Sequence, residues 1–120
     1  MIVVPETILR RLYVPGSLEN TDSGFQFRLR NSLARGTLTA VGSLVVDGAE
    51  QNPDSVAIHV GEERVAALEV SPSSPVALPV NVPVTVSVVS VRLSPGHHEI
   101  HLPVVLRETG PVELVLRDSV

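Results

Sequence analysis

Residues 76–93 alternate with a period of two, and that pattern constrains the fold more than any other. Val76, Leu78, Val80, Val82, Val84, Val86 and Val88 occupy every second position, with Ala77, Pro79, Asn81, Pro83, Thr85 and Ser87 between them. An extended strand sorts such a pattern into one apolar and one polar face, whereas a helix scatters it around its circumference. The segment therefore predicts half-buried, antiparallel β-structure. Pro79 and Pro83 cannot donate to a ladder, so residues 76–83 read as an edge or lead-in, with a central strand starting near Val84. The phase slips at Val88-Val89, after which Val89, Val91 and Leu93 lead, and a bulge there would re-aim the face.

The rest of the chain repeats the theme. Phe25, Phe27 and Leu29 alternate with Gln26, Arg28 and Arg30. Leu38, Ala40, Leu44 and Val46 share a phase that Gly42 interrupts as a possible bulge site; Val56, Ile58 and Val60 point inward; residues 64–70 form a weaker strand. Ile100, Leu102, Val104 and Leu106 define a late strand, and Val112, Leu114 and Leu116 another. Residues 5–12 read either as a short helix opened by Pro5 or as a first strand. Glycines and prolines punctuate the chain at short intervals, as in all-β sandwiches. The expectation is an all-β, immunoglobulin-like antiparallel β-sandwich of about seven to eight strands in a single domain over 1–120, with a small closed β-barrel as the alternative.

The apolar supply is unusual in kind. There are 23 Val and 14 Leu but only three aromatics, Tyr13, Phe25 and Phe27. Base-stacking platforms need aromatics, and the net charge of −4 with no Arg-rich segment argues against nucleic acid as a partner. No run approaches the roughly 20 apolar residues of a membrane helix. The absence of Cys excludes disulfides and thiolate chemistry, and the early charges fit no signal peptide, so a cytoplasmic location is the default expectation.

The densest cluster of chemical groups is His97-His98-Glu99-Ile100-His101. On a strand, His97, Glu99 and His101 share a face opposite Ile100 and Leu102, and two imidazoles with a carboxylate make a candidate metal site. The same spacing also describes an ordinary solvated strand face. His59 reads as exposed, and Glu62-Glu63 as a solvated hairpin tip. Gln26, Arg28 and Arg30 form an outward row. No nucleophile elbow or phosphate loop is present, so no catalytic residue and no cofactor is expected.

Taken in order, Gly24–Arg30, Arg35-Gly36, Val46-Asp47-Gly48, Ile58-His59-Val60-Gly61 and Leu93–Ile100 resemble the small β subunit of C-glycoside deglycosidases and its uncharacterised relatives, over roughly residues 17–107. The resemblance implies a small all-β subunit beside a larger catalytic subunit that holds the metal and cleaves a sugar–aglycone carbon–carbon bond. An aromatic-rich segment expected before Arg35-Gly36 is replaced here by Asn31-Ser32-Leu33-Ala34. The resulting expectation is a chain that is not itself an enzyme, acting as an accessory subunit or protein-interaction module through a larger partner or self-association. The alternative is a stand-alone metal- or carbohydrate-binding sandwich.

Overall fold

A computed structural model describes residues 2–120. Its strands, in chain order, are β1 (Ile2–Val3), β2 (Glu19–Thr21), β3 (Gly24–Arg30), β4 (Gly36–Val41), β5 (Val45–Val46), β6 (Ala49–Glu50), β7 (Val56–Val60), β8 (Glu63–Ala66), β9 (Val76–Leu78), β10 (Pro83–Val89), β11 (His97–Leu106) and β12 (Gly110–Ser119). One short helix, α1 (Glu6–Leu9), follows Pro5, which settles the ambiguity at residues 5–12 in favour of helix. No helix among the described residues is long and apolar enough to cross a membrane.

The strands form two sheets, and the sheets do not close into a barrel. One runs β2-β3-β10-β7-β8. The other runs β1-β12-β11-β4-β9, with β5 and β6 added alongside β11. Neighbours pair antiparallel except β1, which lies parallel to the start of β12. The two sheets face each other across one apolar core, a β-sandwich in which alternating side chains meet between the layers. The pattern at residues 24–30 works as expected: Phe25 and Phe27 are fully buried.

The long alternation of residues 76–93 is not one strand. β9 pairs with β4 in the larger sheet, while β10 sits at the centre of the smaller one, between β3 and β7. Between them the chain crosses from layer to layer. Asn81 turns the crossing with φ 64°, a left-handed conformation that Asn tolerates better than most residues, and its N–H donates to the Asn31 carbonyl at 2.8 Å. The expected bulge at Val88-Val89 is absent. β10 pairs with β3 without interruption through Val89 and then ends, which leaves Val91 88% exposed on the following loop.

Gly42 does mark an irregularity. Residues 101 and 104 of β11 pair with Val45 and Val41, so three steps along β11 face four along the other chain, a one-residue bulge. A Cβ on Gly42 would lie 2.8 Å from Cγ of Pro103, so only glycine allows this approach. Beyond it, β5 and β6 close through Asp47 (φ 51°) and Gly48 (φ 82°), the paired positive values of a type I′ hairpin, which favours Asp-Gly.

Candidate functional site

The alternation of β11 separates its histidines. Ile100, Leu102 and Val104 point into the core, and His98 goes with them, 8% exposed. His97, Glu99 and His101 lie on the outer face as expected. They do not assemble as a ligand set. Nε2 of His101 lies 2.6 Å from Oε1 of Glu99, and Nδ1 lies 2.8 Å from Oε1 of Glu113 on β12. The Arg117 Nε–H donates to the other oxygen of Glu99 at 3.1 Å. A carboxylate stands at each ring nitrogen, so both nitrogens are engaged within the row. The Glu99 carboxylate, and then that of Glu113, raise the His101 pKa, while the His101 bond lowers that of Glu99. His97 is exposed and takes no part in this row. Among the described residues, no group of three His, Cys, Asp or Glu side chains is placed to hold a metal ion. The row is an ion-pair ladder across two strands.

His98 carries the buried polar contact that sequence reasoning missed. Its Nδ1 lies 2.5 Å from Oδ2 of Asp47, and its Nε2 donates to the Ser94 carbonyl at 2.7 Å. Asp47 also accepts the Glu99 N–H through Oδ1 at 2.8 Å. The hairpin tip is thereby fastened to the start of β11. These bonds raise the His98 pKa, through Asp47 first and Ser94 second. They lower that of Asp47, through the Glu99 N–H first and His98 second. His59 is likewise not simply exposed, since its Nε2 meets the Ser87 hydroxyl at 2.9 Å. The Tyr13 hydroxyl donates to Asp118 at 2.7 Å, and the Gly16 N–H donates to the same oxygen at 2.8 Å, pinning the turn before β2 onto β12. Burial, partly offset by Ser17, holds the Tyr13 pKa well above the phenol range.

Tyr13, Asp118 and Arg117 border an outer cleft of about 500 Å³ with Glu6 and Arg10, and a second, more apolar space opens into the interior. At the end of the sandwich where β3 gives way to the Asn31–Arg35 loop, the sheets enclose a cavity of about 410 Å³. Ile58, Val86, Leu102 and Leu114 line its depth. Its mouth carries Ile2, Ile8 and Leu33, which are 69%, 38% and 40% exposed, and Arg35. Such a cavity, apolar within and with a few polar groups at its edge, has the form of a small-molecule or docking pocket.

The mouth is held in place. Oδ1 of Asn31 accepts the N–H groups of Leu33 (3.1 Å) and Ala34 (3.4 Å), its amide nitrogen donates to the Ala34 carbonyl, and the Ser32 hydroxyl donates to the Arg11 carbonyl at 2.7 Å. An Asx turn thus ties the loop to itself, and Ser32 ties it to the end of the N-terminal helical turns. The signal for the cavity lay in composition. Val side chains from facing sheets fill less volume than the Phe, Leu and Ile mixtures of denser cores.

Residues 8–120 match the family model described as hydroxymethylglutaryl-CoA reductase, N-terminal domain. The match covers nearly the whole chain, and the chain belongs to that family. No curated protein matches it. The family match overturns the expected kinship with the C-glycoside deglycosidase β subunit. It also corrects the expectation of a chain that is not itself an enzyme but an accessory subunit, because the matched family is a domain of an enzyme. The pieces that suggested the other kinship are Asp-Gly and Pro-Gly turns flanked by alternating strands, which recur wherever sandwich strands must reverse.

Proposed function

We propose that this chain serves a hydroxymethylglutaryl-CoA reductase-type enzyme as an association domain, docking against another part of that enzyme or a second copy of itself through the open end of the sandwich. One observation carries the reading. Of the large apolar side chains exposed on the described surface, Ile2, Ile8 and Leu33 converge on one mouth, and Val3 adjoins them on the edge strand β1. Scattered exposed apolar residues are ordinary, whereas a convergent set around a concavity is characteristic of interfaces. Edge strand β1 adds backbone groups able to pair with an incoming strand. Membership of an enzyme family supplies the context, and the ion-paired outer face of β11 offers no competing site.

The test is size-exclusion chromatography with light scattering on the protein purified at native level from its source. The native chain is expected to run as a complex, and the double variant Ile8→Asp, Leu33→Asp to release it while unfolding at an unchanged temperature. A native chain that runs as a monomer at every concentration and brings nothing with it defeats the proposal.

A further inference from the structure

We infer that the cavity behind this mouth is a binding site for one aliphatic chain ending in a carboxylate, with the chain between the sheets and the carboxylate at Arg35. The inference rests on reading the same opening as functional and adds the chemical class of its occupant. The depth of the cavity is lined by branched aliphatic side chains, Ile58, Val86, Leu102 and Leu114 among them, and no aromatic side chain among the described residues lines it. A flat ring finds nothing there to stack on, whereas a flexible methylene chain follows an irregular aliphatic wall. At about 30 Å³ for each water-sized group, a volume of about 410 Å³ admits roughly a dozen heavy atoms.

The polar groups stand only at the rim, and they are unequal. Both oxygens of Glu108 are engaged by Thr37, through its N–H and its hydroxyl, each at 2.9 Å. Among the described residues, Arg35 is the only cationic one lining the cavity, and it makes no ion pair with another of them. A guanidinium at the threshold of an apolar chamber is complementary to an anionic head on an apolar tail. The Asn31 turn fixes the loop backbone at Leu33 and Ala34, directly before Arg35.

Calorimetric titration of the full chain with decanoate and with decanol at neutral pH, where a carboxylate is ionised, tests the assignment. Decanoate is expected to bind saturably at one site. Arg35→Gln is expected to weaken decanoate about tenfold and leave decanol unchanged. Val84→Phe, which fills the chamber, is expected to abolish both; if that variant does not fold, Ala34→Trp at the exposed mouth takes its place. Absence of saturable decanoate binding overturns the inference. So does Arg35→Gln binding decanoate as tightly as the native chain, or binding that survives the filled chamber. Association measured by light scattering is a separate readout: a complex that persists with no decanoate binding removes the ligand alone and leaves a protein segment as the occupant.

Discussion

The two ends of this sandwich are built from the same alternation and are filled differently. At one end Phe25, Val88, Val56, Ile100 and Leu116 are buried between the sheets, and Phe27, opposite Val86 further along β3, is 0% exposed. At the other end β3 and β10 offer Leu29 and Val84, the facing strands offer Leu102, Leu106 and Val112, and a cavity remains. Pattern decides which side of a strand is buried, and volume decides whether the buried space is full. Neither of the chain's two Phe residues lines the hollow end. The packed end also holds the buried polar contact, His98 with Asp47 and Ser94, while the hollow end has its polar groups only at its rim.

The largest effect expected from this contrast is on truncation. Phe27→Ala should cost about 4 kcal/mol of unfolding free energy in denaturant titration, as large deletions in packed cores do. On the single strand β12, Leu116→Ala should cost about 3–4 kcal/mol and Leu114→Ala, whose side chain already borders open space, about 1–2 kcal/mol less. Equal losses at the two leucines would erase the distinction between the ends. Enlargement should reverse the order: Val88→Phe should destabilise by about 2 kcal/mol through overpacking, whereas Val84→Phe should be neutral or stabilising by up to about 1 kcal/mol. If both destabilise alike by thermal melting, the cavity is not fillable space.

A smaller effect is expected at the polar fastening of the packed end. Asp47→Ala removes the acceptor for His98 and for the Glu99 N–H and places Ala at a left-handed φ, for a loss of about 1–2 kcal/mol; Asp47→Asn should lose less. The smallest is the pH dependence. The His98 pKa lies above its ordinary 6.5, so its contribution is complete below that value and fades as pH rises through the raised one. The Asp47 pKa lies below its ordinary 3.8, so its contribution is complete above that value and fades on acidification through the lowered one. The pair is thus strongest between about pH 4 and 6.5. His101 titrates in the same sense on the outer face, so the difference in melting temperature between native protein and Asp47→Asn isolates His98. That difference should shrink above pH 7. A difference constant from pH 5 to 9 would contradict the assignment.

Much of this molecule was legible before its structure. Period-two alternation identified β3, β10, β11 and β12, together with the inward faces that bury Phe25, Phe27, Ile100 and Leu102, because a face is a property of one strand. What needed the structure was every property of two strands at once. The prolines marked residues 76–83 as an edge and the region near Val84 as the start of a central strand, as observed, but the alternation through Val76–Val88 carries no record that the two halves join different sheets. His98 and Asp47 are 51 positions apart, and nothing in either neighbourhood names the other. His101 looked like a ligand because its carboxylate partners stand one on its own strand and one on the next, where spacing along the chain does not reveal them both. The cavity left one trace, the shortage of aromatics, which says that space will be underfilled but not where. The misread kinship has a similar origin. Its matching pieces were reversals that any sandwich must make, and such features testify to architecture rather than descent.

The layer-crossing segment has a consequence for how the chain reaches this state. β9 must find β4, about forty residues earlier, while β10, a few residues further on, must slide between β3 and β7. Neither sheet can be completed while the other waits, since one short covalent link belongs to both. Folding should therefore be slow for a chain of this length, dominated by distant pairings, and unfolding should be a single event with no half-sandwich left standing.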